Sequence, residues 1–208
     1  MADVRRNLCQ LLLSQGCFLE DDLLERYREC LDQHLDKQKR QKRWHRTKDG
    51  SADDEKNRKE LSRLIDELNE QLEALGIKVA RMKSKATGKW EMHYGVVNLN
   101  GEDEFSSLAL GLTKAEQELF HKVIAEIMAS EERKIESSDA ASLRHQLTAS
   151  KISQADAEAC LERLASGSWL ATDDDGNYLL GVRTELQQRY TSVPAADAAD
   201  GPMAAELE

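Results

Sequence analysis

The sequence predicts a mainly α-helical chain with small β-hairpins, because apolar residues recur at helical spacing and two segments alternate with period two around a polar turn. The same order, three helices and then a hairpin, returns in the second half of the chain. That order belongs to the winged-helix variant of the helix-turn-helix, so the fold class reads as tandem winged-helix domains. Residues 1–105 are expected to form the first domain, with a basic insertion at 37–55, and residues 106–190 the second. Residues 191–208, with Pro194 and Gly201-Pro202 among Ala and acidic residues, are expected to form a disordered acidic tail.

Each element has its own signal. Val4, Leu8, Leu11 and Leu12 mark a first helix, which Gly16 ends. Leu23, Leu24, Tyr27, Leu31 and Leu35 mark a second, after which the basic run and the polar segment Asp49–Glu55 read as an inserted loop. Leu61, Leu64, Ile65, Leu68, Leu72 and Leu75 form the cleanest helical stripe in the sequence, closed by Gly76. The runs Ile77–Arg81 and Trp90–Val97 alternate around Thr87-Gly88 as a hairpin, with Trp90, Met92 and Tyr94 expected in the first core.

In the second half Thr113-Lys114-Ala115-Glu116 is a capping box opening a helix whose apolar face is Leu119, Phe120, Val123, Ile124, Ile127 and Met128. A short helix is expected over about 139–147, and Ser153 to Asp156 opens another with Ala157, Leu161 and Leu164 inward. Gly167 stops it. The hairpin Ser168–Val182 follows as the last structured element, with Trp169, Leu170, Tyr178, Leu179 and Leu180 closing the second core.

Composition narrows the function. Apolar content of 40% suffices for cores, and charged content of 33% against 5% aromatic suits small, soluble helical domains. No run approaches the roughly 20 apolar residues of a membrane span, and the charged start does not read as a signal peptide, so the chain is expected to be intracellular with no membrane partner. Cys9, Cys17, Cys30 and Cys160 stand too far apart for a disulfide framework or zinc ribbon. Cys30 and His34 have a spacing that two zinc ligands could share, but no second pair accompanies them, and no metal or other cofactor is expected in this chain. Neither a phosphate-cradling loop nor a nucleophile with a paired base is recognisable, so no catalytic residue is assigned.

The net charge of −10 argues against whole-surface DNA affinity, but basic charge is concentrated in the first half. Residues 37–48 hold seven Lys or Arg and no acid. The candidate DNA contacts are therefore Lys37, Lys39, Arg40, Lys42, Arg43, Arg46 and Lys48, with Trp44 available to stack, and Arg81, Lys83, Lys85 and Lys89 of the first hairpin. A solvated loop explains the basic run equally well. Both third helices are acidic outside, and Asp173-Asp174-Asp175 makes the second hairpin tip a poor match to phosphate. A winged-helix transcription regulator, the alternative function, would want basic surfaces there.

Four segments in order carry a family resemblance: VRRNLCQLLLSQGCFLEDDL, LIDELNEQLEALGIKVARM followed by YGVVNLN, LTKAEQELFHKVIAEIM, and ACLERLASGSWLATDDDGNYLLGVRTELQQRY. They resemble non-SMC element one of the SMC five-six chromosome-maintenance complex, from Val4 to Tyr190, while Lys37–Glu55 departs from the family pattern. The resemblance implies a nuclear, chromosome-associated subunit that binds a MAGE-type non-SMC element and the kleisin element, meets the SMC heads indirectly, and contacts DNA without sequence preference during repair and recombination. In the family a zinc-binding RING domain follows and supports E3 ubiquitin ligase activity. After Tyr190 this sequence has neither Cys nor His, so it is expected to be either a shortened piece or a natural RING-less form, and ligase activity is not carried over.

Overall fold

The computed structural model describes residues 2–34, 51–85, 89–100 and 111–191. It is mainly helical with two small antiparallel sheets. The first unit runs α1 (Ala2–Gln15), β1 (Cys17–Leu19), α2 (Glu20–His34), α3 (Ser51–Leu72), β2 (Ile77–Ser84) and β3 (Glu91–Asn98). The second runs α4 (Lys114–Ala129), β4 (Lys134–Ile135), α5 (Ser137–Ser142), α6 (Gln154–Ser166), β5 (Leu170–Thr172) and β6 (Tyr178–Leu180). A final helix, α7 (Val182–Thr191), follows. Among the described residues no helix is long and apolar enough to cross a membrane.

In the first unit the predicted stripes meet. Val4, Leu8 and Leu12 of α1 pack with Leu23 and Tyr27 of α2 and with Leu61, Leu64 and Leu68 of α3, beneath Val79 and Tyr94 of the sheet. Gly16 does end α1, at φ +77, a left-handed position that only glycine adopts freely. The chain then forms β1, which pairs with β3 through Phe18 and Tyr94, so β3 is central in the order β1-β3-β2. A strand of three residues shows no alternation, which is why the sequence pattern missed it.

Three expectations about this unit are corrected. α3 begins at Ser51, so the expected loop at 37–55 is helical from 51 onward; a polar first turn lacks an apolar stripe but gains exposed pairs such as Glu55 with Lys59 at 2.8 Å. Leu75 is 66% exposed, because the helix tightens to a 3-10 turn at Glu73–Leu75 and each residue there rotates further than in an α-helix. Trp90 is 65% exposed, because it precedes β3 at the end of the hairpin away from the core. Leu35, the run 37–48 and the Thr87-Gly88 turn lie outside the described residues.

Asn69 of α3 fixes the sheet edge. Its Nδ2 donates to the Val79 carbonyl at 3.0 Å and its Oδ1 accepts from the Val79 N–H at 2.7 Å, replacing the strand partner that edge strand β2 lacks. Asn69→Ala strands both backbone groups, and urea unfolding should register a loss of about 1–3 kcal/mol.

The second unit repeats the plan with order β4-β6-β5. The predicted capping box is present: the Thr113 N–H donates to Glu116 at 2.7 Å, and the Glu116 N–H to the Thr113 hydroxyl at 3.3 Å. Leu119, Val123 and Ile127 of α4 pack on Ala157, Leu161 and Leu164 of α6, with Trp169 edge-on to Phe120 at 6.0 Å. Met128 was expected inside but is 42% exposed, since it lies one residue, or about 100°, round from buried Ile127. Leu179 also stands outside the core, on the sheet face opposite to that of Tyr178 and Leu180. The short β4 went unseen for the same reason as β1.

Glu118 ties α4 to the 148–149 turn by accepting from the Thr148 N–H at 2.8 Å and the Ala149 N–H at 2.8 Å. These donors hold its carboxyl below the ordinary value of 4.5. A depressed folded pKa adds stability above the unfolded value and loses it as pH falls through the folded one. Wild-type thermal stability should therefore fall as pH is lowered from 4.5, and Glu118→Gln should be less stable at neutral pH with a shallower acid dependence.

The largest departure from expectation is that the second hairpin does not end the structure. α7 follows, includes Thr191, and packs on the first unit's sheet, where Val182 and Leu186 meet Ala80 and Val97. Residues 192–208, expected as a disordered tail, lie outside the described residues.

Candidate functional site

The surfaces available for recognition are set by how α7 covers one face of the first sheet. Along β2 the residues alternate, so Ala80, Met82 and Ser84 face α7 while Val79, Arg81 and Lys83 share the other face with Met92 and Tyr94. Polar bonds reinforce the covered side. Ser84 donates to Glu185 at 2.9 Å, and the Gln187 amide makes both bonds with the Asn98 backbone, at 2.9 and 2.7 Å. Lys78 lies over the Tyr190 ring at 5.4 Å.

Arg183 joins the two units at the root of α7. Its guanidinium stacks on Trp169 of the second core at 4.3 Å and lies against Gly16 at the C-terminus of α1, where the helix dipole favours a cation. Burial nonetheless disfavours its charge. The neighbouring Cys17 thiol is pushed up to about 11 by burial, against the pull of Arg183. Cys160 is likewise pushed up to about 11 by burial, so both remain protonated at neutral pH and are poor nucleophiles.

Arg81, Lys83, Lys85 and Lys89 are exposed on the first hairpin, Arg81 and Lys83 lying on the same sheet face as buried Val79 and Tyr94 but nearer the hairpin tip. The structure thus brings these four predicted candidates onto one hairpin. Lys37, Lys39, Arg40, Lys42, Arg43, Trp44, Arg46 and Lys48 lie outside the described residues. Sequence reasoning missed Trp90, which stands exposed beside Lys89 rather than in the core. The signal was available: Trp90 is two residues beyond Met92, on the same stride but past the last residue paired in the ladder.

The helices that follow in each unit carry acid outward. On α3, Glu60, Asp66 and Glu70 are exposed, whereas Arg58 is engaged with Asp21 at 2.7 Å and Arg63 with Glu67 at 3.4 Å. On α6, Asp156, Glu158 and Glu162 are exposed and the single basic residue, Arg163, binds Glu116 at 2.6 Å. At the second hairpin tip Asp173 is consumed internally: its carboxylate accepts from the Asn177 side chain at 2.9 Å and from the Asn177 N–H at 2.8 Å, and these bonds hold it below the usual range. Asp174 and Asp175 remain exposed.

Among the described residues no group of three or more His, Cys, Asp or Glu is placed to hold a metal ion. One cleft is lined by Glu126, Glu132, Lys134, Glu136 and Asp139, and another by Ser138, Arg144, Glu158 and Tyr178; no Cys or His lines either. The arrangement offers binding surfaces: a basic hairpin, two acidic helices, and a packed junction at α7.

Comparison with known proteins gives these surfaces a setting. A family model described as the Nse1 non-SMC component of the SMC5-6 complex matches residues 5–186. The non-structural maintenance of chromosomes element 1 homologues of Pongo abelii and Homo sapiens are 28% and 27% identical over 199 residues, 95% of this chain. The chain spans 66% of the length of these relatives. A chain in a solved structure titled Nse1-Nse3-Nse4 complex has the same fold, with a TM-score of 0.70 at 19% identity over 90% of this chain and 72% of its own.

Proposed function

The chain belongs to the Nse1 family of non-SMC components of the SMC5-6 complex, and from that premise we propose that it is a non-catalytic assembly subunit built of two winged helices. In this reading the β2–β3 and β5–β6 hairpins are the wings, and α3 and α6 occupy the third-helix positions. The chain binds a MAGE-type non-SMC element and, with it, the kleisin element, and works in the nucleus on chromosomes. The observation that carries the proposal is the family match over residues 5–186, supported by the shared fold with a chain of an Nse1-Nse3-Nse4 complex.

The surfaces fit such a role. Exposed acids on α3 and α6 repel phosphate, so the third helices are protein-facing and do not read bases. Accessory, sequence-independent DNA contact falls to the first wing through Arg81, Lys83, Lys85 and Lys89, with the 37–48 run as a second basic element. No cofactor is assigned to these residues, and ligase activity is not part of the proposal. Co-expression with a MAGE-type element tests it: the two chains should elute together on size exclusion, and separate elution would remove the proposed function.

A further inference from the structure

We infer that Trp90 is a base-stacking residue and that the first wing takes single-stranded nucleic acid. The inference rests on the reading that this wing contacts DNA and deepens it by naming the kind of DNA. Three observations on the hairpin converge. Trp90, just before β3, is 65% exposed and gains little from packing. Exposed Lys83, Lys85 and Lys89 surround it in sequence, with no acid between Lys78 and Trp90. The register Arg81 to Tyr94 and Lys83 to Met92 places Arg81, Lys83 and, continuing the stride, Lys85 and Trp90 on one face.

On that face Val79 and Tyr94 are buried against the helices, but toward the hairpin tip Arg81, Lys83, Lys85 and Trp90 are exposed; α7 covers the opposite face, where Ser84 binds Glu185. Two carboxylates beside the hairpin are committed or turned aside. Glu20 lies with Arg58 at 3.6 Å and reaches the Tyr94 hydroxyl at 3.4 Å, and Glu91 is half-buried. The chain's net charge of −10 does not cancel this patch, because charges beyond about 10 Å are screened at physiological salt.

An exposed indole on a basic hairpin matches a strand whose bases are already unstacked: the ring meets a base face and the ammonium groups meet the flanking phosphates. A duplex matches it less well, because Trp90 would have to wedge open a stacked step. The lysines serve either form, so the tryptophan sets the preference for single strands.

The test uses the full chain, fluorescence anisotropy of a labelled oligothymidine and of a duplex of equal length, and two variants. Trp90→Ala should weaken oligothymidine binding by about tenfold and duplex binding by less than about twofold. Its melting temperature and its co-elution with the MAGE-type element should be unchanged. Changing Lys83, Lys85 and Lys89 together to Gln should reduce the logarithmic salt slope for the single strand by about 2. If the salt slope does not change, the wing is not a DNA contact and the underlying reading fails. If the slope falls but Trp90→Ala binds both nucleic acids as the wild type does, the stacking inference alone is overturned. Equal losses on strand and duplex, a lowered melting temperature, or lost co-elution would each overturn it too.

Discussion

Gly181→Ala should be among the most damaging single changes in the chain, lowering stability by about 3 kcal/mol or more and the melting temperature by roughly 10 °C. Gly181 sits where β6 ends and α7 begins, directly against the backbone that leads into β5. A Cβ there would stand 2.3 Å from the Ser168 carbonyl oxygen, 2.6 Å from the Trp169 carbonyl carbon and 2.7 Å from the Leu170 nitrogen. All three are backbone atoms, so no rotamer change relieves the clash. This close approach is also held by hydrogen bonds that any shift would break: Gly181 N–H to Trp169 at 3.0 Å, Arg183 N–H to Ser168 at 3.0 Å, and the Thr184 hydroxyl to Trp169 at 2.6 Å. Gly176→Ala is the control. Nothing lies within 4 Å of its Cβ position, and only the strain of φ +82 opposes the change, at a cost of about 1 kcal/mol. Urea unfolding of both variants separates the two effects.

A double-mutant cycle between Gly95 and Leu186 should show that α7 is seated on the first unit's sheet. Gly95 lies in the middle of β3, and a Cβ on it would meet Leu186 Cδ1 at 2.6 Å, with the next atom, the Gly16 carbonyl oxygen, at an ordinary 3.5 Å. Leu186 is fully buried among Ala80, Val97 and Val182, so its methyl cannot simply swing away. Gly95→Ala alone should cost about 2 kcal/mol by overpacking, and Leu186→Ala alone about 3 kcal/mol by the cavity it leaves. The double variant should be no less stable than Leu186→Ala, giving a coupling of about 2 kcal/mol between a residue of the first unit and one of the last helix. Additive losses in urea unfolding would mean that α7 is not seated on the sheet as described.

The sequence made the helical stripes legible because they are wide and repeated: Leu61 to Leu72 on α3 and Leu119 to Ile127 on α4 are buried as their spacing requires. Caps were legible for a similar reason, since Thr113 with Glu116 is a local contract between neighbours. Elements whose stability comes from distant partners were not. β1 and β4 exist only through pairing with β3 and β6, and α7 shows just Val182, Leu186 and Tyr190 as a narrow stripe among polar residues. Its meaning appears only when the first sheet is present to receive it. Trp90 was misplaced because alternation tells which face a residue takes and not how far the core beneath that face extends. The four basic hairpin candidates were readable from charge alone, and the register is what puts Arg81 and Lys83 on one face of the ladder.

The junction at α7 gives the partner-binding proposal its physical form, since two units held together through Leu186, Gln187 and Arg183 present their helices and hairpins together and lose little freedom on association. Calorimetric titration of the purified chain with a MAGE-type non-SMC element is the most direct measurement of that claim. One-to-one binding with a Kd below about 1 μM is expected, and a Leu186→Ala chain should bind more weakly because the units are less firmly held together. Absence of binding heat at several temperatures, with separate elution of the two proteins, would contradict the account.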